Sequence, residues 1–107
     1  MTVTISIAKD FTRFPSGRYV RNGETSGEAF RQKFLEPHLR DGQQVEVDLD
    51  GTVGYGSSFL EEAFGGLVRA LRMPADRLLS MLKVVTTDET LREEITDYIR
   101  EAGRRAH

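Results

Sequence analysis

A chain of 107 residues carrying 15 basic and 17 acidic side chains is one domain's worth of sequence, with a net charge of −2 and a pI near 5.7. That balance gives no bulk attraction to nucleic acid or to an anionic membrane, and the absence of cysteine excludes disulfides, thiolate metal sites and thiol catalysis. No apolar run approaches the roughly 20 residues of a membrane span. The opening Met1-Thr2-Val3-Thr4-Ile5 lacks the basic end and apolar stretch of a signal peptide, so a cytoplasmic location is expected, in keeping with the lack of cysteine.

Thr2 to Ala8 alternate, with Val3, Ile5 and Ile7 apolar and Thr2, Thr4 and Ser6 polar, which is the period of a half-buried strand. Lys9 to Gly23 is broken by Pro15, Gly17 and Gly23 and reads as irregular, with a short strand expected around Arg18 to Arg21. Thr25-Ser26-Gly27-Glu28 fits a capping box. The helix behind it should bury Phe30, Phe34, Leu35 and Leu39. Pro37 has no N–H to donate, so the last turn should kink or tighten.

Gln44 to Leu49 is the second strand, with Val45, Val47 and Leu49 on one face. A loop from Asp50 to Gly56 follows, and Ser57 or Ser58 begins a second helix. Its stripe is Leu60, Ala63, Phe64, Leu67, Val68 and Leu71, and it should end near Met73-Pro74. Ala75 to Met81 reads as a helical turn and Leu82 to Val85 as a third strand. Thr86 to Glu89 is a second capping box, opening a final helix with Leu91, Ile95, Tyr98, Ile99 and Ala102 inward. Acids at its start and arginines at its end match the helix dipole, and Arg104 to His107 should fray.

Strands alternating with helices predict an α/β fold: a small open sheet of 3–4 strands, mostly parallel in the centre, joined by right-handed crossovers and packed with three main helices. In a sheet this small the helices can all lie on one face. Neither an internal repeat nor a linker divides the chain, so residues 1–107 read as one domain.

The informative stretch runs from Val45 to Arg69, VEVDLDGTVGYGSSFLEEAFGGLVR. A strand ends in acids, a loop carries Gly51, Gly54 and Gly56, and a serine pair opens a helix. Open α/β sheets place ligand sites at such carboxyl ends of strands, and a helix N-terminus favours an anion. A serine there can cap the helix, or carry a phosphate at the positive end of the dipole.

Residues 54–67, Gly-Tyr-Gly-Ser-Ser-Phe-Leu-Glu-Glu-Ala-Phe-Gly-Gly-Leu, resemble throughout a pattern of the STAS-like family. That family is related to the STAS domains of bacterial anti-sigma factor antagonists. Thr25 to Phe30 and the final strand and helix join the resemblance. STAS domains usually carry Asp-Ser-Ser-Gly where this chain has Gly56-Ser57-Ser58-Phe59: the serines match and the flanks differ. The resemblance implies a regulatory partner switch. An unphosphorylated domain docks on an ATPase-fold kinase or anti-sigma-like protein, and the kinase phosphorylates a serine of the pair. The second serine of the pair corresponds to Ser58, with Ser57 as alternate. The implied docking face takes in Asp50, Gly54, Tyr55, Gly56, Phe59, Glu62, Gly65, Gly66 and Arg69.

Other readings are weaker. The glycines of the loop suggest a nucleotide or small-ligand sensor over Gly51 to Ser58. However, no lysine follows as in a Walker motif, and Phe59 replaces the third glycine of G-x-G-x-x-G. Gly65-Gly66 inside a helix costs about 1 kcal/mol per residue against alanine, so a neighbour must approach that backbone: an element of the same domain, a partner, or a second subunit of a homodimer. Asp48, Asp50, Glu61 and Glu62 read as solvated or capping, with Glu61 and Glu62 on different helix faces. The stretch holding Lys9, Phe11, Arg13, Phe14, Arg18, Tyr19 and Arg21 is basic and aromatic, which suits a phosphate or nucleic acid, yet a structured surface loop is the expected role. His38, the only histidine inside the chain, has no companion at ligand spacing and cannot serve as base for Ser57. No enzyme activity, metal or cofactor is expected.

Overall fold

The computed structural model describes residues 2–106. Strand β1 (Thr2–Ser6), strand β2 (Gln44–Asp48) and strand β3 (Leu82–Val85) form a sheet of order β1-β2-β3, parallel throughout. Val3 pairs with Val45, Ile5 with Val47, Val45 with Leu82 and Val47 with Val84. Because side chains alternate along a strand, this register stacks the odd residues of β1 and β2 on one face, where Ile5, Val45, Val47 and Leu82 are buried. The opposite face is polar, with Thr2, Thr4 and Gln44 exposed. There Glu46 meets Lys83, its register partner, at 3.8 Å.

Helix α1 (residues 27–40) and helix α2 (residues 57–71) return from the carboxyl ends of β1 and β2. Helix α3 (Ala75–Met81) leads into β3, and helix α4 (Glu89–Arg105) closes the chain. The aromatic core lies beneath α1 and α2: the rings of Phe30 and Phe59 are 6.2 Å apart, and those of Phe11 and Phe30 are 5.3 Å apart. Arg92 shields the free side of β3, donating from Nε to the Val84 carbonyl (3.2 Å) and from Nη2 to that of Thr86 (3.4 Å). A guanidinium on these carbonyls blunts an edge that could otherwise template further pairing.

Several local expectations are corrected. Arg18 to Arg21 is not a strand; the chain bends there into a 3₁₀ turn at Val20–Asn22, so the sheet stops at three strands. The N-cap of α1 is Ser26, whose hydroxyl accepts from the Ala29 N–H (3.1 Å), and Glu28 turns away to accept from the Val20 N–H (2.8 Å). The second capping box shifts likewise: Asp88 caps α4, accepting from Thr90 and Leu91 N–H, while Thr86 accepts from the Asp88 N–H. Pro37 is accommodated by a widened π turn over Arg31–Leu35, not by tightening. Since proline lacks an N–H and its ring crowds the carbonyl four residues back, a wider turn ahead of it relieves both problems. Ala75–Met81 is a helix in its own right, and α4 runs on through Arg104 to Arg105; His107 lies outside the described residues. Among the described residues no helix is long and apolar enough to cross a membrane.

Candidate functional site

The carboxyl ends of three parallel strands bring the loops after β1, β2 and β3 to one end of the molecule. The loop after β2 is held from several sides. Asp48 Oδ1 accepts the Asp50 N–H (2.9 Å), and Asp50 Oδ1 accepts from the Thr87 N–H (3.2 Å), tying this loop to the one after β3. Val53 N–H donates to the Arg13 carbonyl (2.9 Å), tying it to the loop after β1. Gly51 has φ +98° and Gly54 φ +140°, conformations that a side chain would strain. At Gly51 a Cβ would also lie 3.1 Å from that of Ala8.

Tyr55 is the internal strut of this loop. Its hydroxyl donates to the Leu49 carbonyl at 2.7 Å. Burial pushes the phenol up to about 12, with the charges of Asp48 and Asp50 adding to the effect and a hydrogen bond with Thr52 opposing it. A phenol whose folded value is raised lends stability that is complete below the ordinary value of about 10 and is lost as pH climbs toward the folded one. Tyr55 should therefore resist ionisation in an ultraviolet pH titration past the ordinary phenol range near 10. Tyr55→Phe should flatten the fall in stability above about pH 10 and raise amide exchange over residues 49–55. Unchanged exchange would show that the loop does not depend on this bond.

Between Asp50, Gly51, Tyr55, Asp88 and Glu94 lies a cleft of about 340 Å³. Its charged lining is acidic, which suits an anionic ligand poorly.

Helix α2 begins at Ser57 as expected, but neither serine caps it. The N-cap is Gly56, with φ −79°, ψ 153° and no side-chain capping bond. Ser57 and Ser58 occupy the first two helical positions and are both exposed. The first ladder bond is Leu60 N–H to the Gly56 carbonyl, so earlier N–H groups of the turn point outward unpaired by the helix. Both hydroxyls are open to solvent at this end of the helix.

The remainder of the 54–69 pattern is placed differently from the docking face expected of it. Phe59, Glu62, Gly65 and Gly66 are buried. Phe59 is a core aromatic. Glu62 Oε2 receives Arg31 Nη1 at 2.5 Å, and Arg31 Nη1 also donates to the Glu62 carbonyl at 2.9 Å. Arg31 Nε reaches Glu36 at 2.8 Å. For Glu36, burial works against ionisation, but hydrogen bonds from Arg31 and Arg40 outweigh it and hold the carboxyl below the usual range. The Arg31 guanidinium lies across Gly66, where a Cβ would collide with it, and the Tyr98 carbonyl would be 3.3 Å from a Cβ on Gly65. The close neighbour that the Gly65-Gly66 pair demands is therefore the chain itself.

Glu61 and Glu62, expected on different faces, converge because long side chains from one turn reach the same cations: Arg18 and Arg69 touch both. For Glu61 too, burial opposes ionisation and is outweighed by hydrogen bonds from Arg69 and Arg18, which lower the carboxyl. Arg69 is exposed but engaged in this cluster. Asp50, Gly54, Gly56, Ser57 and Ser58 remain on the surface.

Arg31 is the residue that sequence reasoning missed. It lies one turn beyond Gly27 and one turn before Leu35, on the inner stripe of α1. An arginine in an apolar stripe signals a buried partner, and the Glu61-Glu62 pair beside Gly66 signals where that partner lies.

A three-stranded parallel sheet with one face covered by helices, and a serine pair opening the helix that follows its middle strand, is an α/β fold of the STAS type. The family described as a STAS-like domain of unknown function matches residues 26–92, more than half of the chain, and the chain belongs to that family. No curated protein and no solved structure matches it.

Proposed function

We propose that this domain is a non-enzymatic regulatory module that docks a protein partner through the loop at residues 50–58 and is switched by phosphorylation of Ser58. The observation that carries the reading is the state of that hydroxyl. It is exposed, it is released from capping because Gly56 is the N-cap, and it stands at the N-terminal turn of α2. A phosphate there gains from the positive end of the helix dipole and adds about −1.5 to −2 charges to a surface that already carries Asp50. On this reading the partner is an ATPase-fold kinase or an anti-sigma-like protein. Ser57, the other exposed hydroxyl of the pair, is the alternate acceptor.

The buried half of the motif supports the same division of labour. Phe59, Glu62 and Gly66 hold α2 rigidly on α1, and the serines ride at its free end. A nucleotide sensor over Gly51 to Ser58 is disfavoured by the carboxylates of Asp50, Asp88 and Glu94 around the cleft.

Ser58→Asp should weaken capture of the native partner by at least about tenfold, equivalent to some 1.4 kcal/mol. Ser57→Ala/Ser58→Ala should hold it irrespective of growth condition. Quantitative affinity purification of the two tagged variants beside the unaltered chain measures this. Equal capture by the Asp and Ala variants would sink the switch.

A further inference from the structure

The large apolar side chains most open to solvent are Phe14 (61% exposed), Tyr19 (37%), Val20 (49%) and Val53 (69%). Three of them fall within one connection. Phe14, Tyr19 and Val20 sit in the connection between β1 and α1, and Val53 is tied to that connection by its hydrogen bond to the Arg13 carbonyl (2.9 Å). Residues 11–23, FTRFPSGRYVRNG, contain no acid and three arginines. Arg18 is taken up by Glu61 and Glu62. Arg13 and Arg21 have no carboxylate within ion-pairing distance among the described residues, as is also true of Arg72 and Arg77, while Arg31, Arg40, Arg69 and Arg92 are paired. The Arg21 guanidinium lies 4.8 Å from the Tyr19 ring centroid, which arranges the cation on an aromatic face without neutralising it.

Exposed apolar groups and unpaired arginines within one connection make an unusual segment for a chain of net charge −2. Aromatic residues and arginine are also the types enriched where proteins bind one another.

We propose that this surface binds an acidic segment of a partner protein, with carboxylates meeting Arg13 and Arg21 and an apolar side chain covering Phe14 and Val53. The proposal rests on the partner-docking reading above and assigns the partner's chemistry. A narrow protein segment fits better than an anionic membrane. Asp50, Asp88 and Glu89 are exposed at the same end of the sheet, and a flat anionic surface approaching that end would meet them as well. The patch is small, so the contact belongs with transient interfaces. It also sets the sign of the switch: Ser58 stands in the first turn of the helix that follows the loop carrying Val53, so its phosphate would add negative charge on the same stretch of chain and repel the partner's carboxylates.

The test is a ¹⁵N NMR titration of the whole chain with two synthetic peptides sharing the same Leu and Phe positions. One has Asp and Glu between them, the other Lys, and phosphatidylglycerol vesicles serve as a third probe. The acidic peptide should move the amides of Arg13, Phe14, Arg21 and Val53. Arg13→Glu/Arg21→Glu and, separately, Phe14→Ser/Val53→Ser should each weaken it by about tenfold or more while keeping the dispersed spectrum of the folded chain. No response to the acidic peptide, an equal response to the basic one, shifts confined to another face, or a preference for vesicles would each overturn the proposal. The outcome separates from that of the switch. A native partner lost on Ser58→Asp but retained by both surface variants leaves the switch standing and removes this surface. Acidic-peptide binding here by a chain never modified at Ser58 does the reverse.

Discussion

Arg31→Ala is expected to lower stability by about 3–5 kcal/mol, the range for breaking a buried ion pair by deleting one partner. The arginine and Glu62 retain side-chain exposures of only 8% and 9%, so truncation takes the closest cation from a buried carboxylate, leaving it Arg18 at 3.4 Å and Arg69 at 3.5 Å, and Glu36 loses one of its two guanidinium contacts. Since domains of this size hold some 5–15 kcal/mol in total, the loss is a large share. It should appear as a fall of roughly 15–30 °C in melting temperature, read by circular dichroism alongside a urea titration. A loss under about 1 kcal/mol, typical of a surface ion pair, would show that Arg31 is solvated instead.

The same arginine makes Gly66 diagnostic. Alanine is ordinarily better than glycine inside a helix by about 1 kcal/mol, yet a Cβ at Gly66 would strike the Arg31 guanidinium. Gly66→Ala should therefore destabilise the unaltered chain and turn stabilising in the Arg31→Ala background, a coupling that a double-mutant cycle reads directly.

Gly27→Ala is the second large effect, and it should not be rescued in this way. A Cβ there would press on the Phe59 carbonyl oxygen and lie 3.1 Å from the Ala63 nitrogen, and backbone cannot rotate aside as a guanidinium can. The expected loss is about 3 kcal/mol, the upper part of the overpacking range, against the usual helical gain from alanine. Because α1 and α2 cross here, the variant should also disturb the start of α2, visible as increased amide exchange at residues 57–63. A neutral or stabilising Gly27→Ala would mean that the two helices stand further apart than the structure places them.

These two glycines show where sequence reading reached and where it stopped. Strands β1, β2 and β3 were legible because alternation in Val3-Thr4-Ile5 and Val45-Glu46-Val47 is a local pattern with one physical cause, and the stripe of α2 is equally local. Parallel order followed from the helices between them. The caps slipped by one or two residues because Thr25 and Ser26, or Thr86 and Asp88, offer equivalent oxygens, and tertiary packing chose between them. The π turns ahead of Glu36 and Gly66 have no signature apart from Pro37 in the first.

The candidate site was legible in its outline and wrong in its depth. An apolar stripe tells which face of α2 is buried against the core, but not that Arg31 arrives over the side carrying Glu62 and Gly66. That contact joins residues 31 apart in sequence, and no periodicity encodes it. The serines illustrate the converse. Their chemistry as helix caps was the natural reading of Ser at a helix start, and it fails because Gly56 takes the cap position and leaves Ser57 and Ser58 inside the first turn.

The most direct measurement is intact-mass analysis of the tagged chain recovered from its native cell together with whatever it holds. A species heavier by one phosphate, abolished by Ser58→Ala and depleted in the partner-bound fraction, is the expected result. A chain of unmodified mass in both bound and free fractions, across conditions that change how much partner it holds, would contradict phosphorylation of Ser58 as the switch.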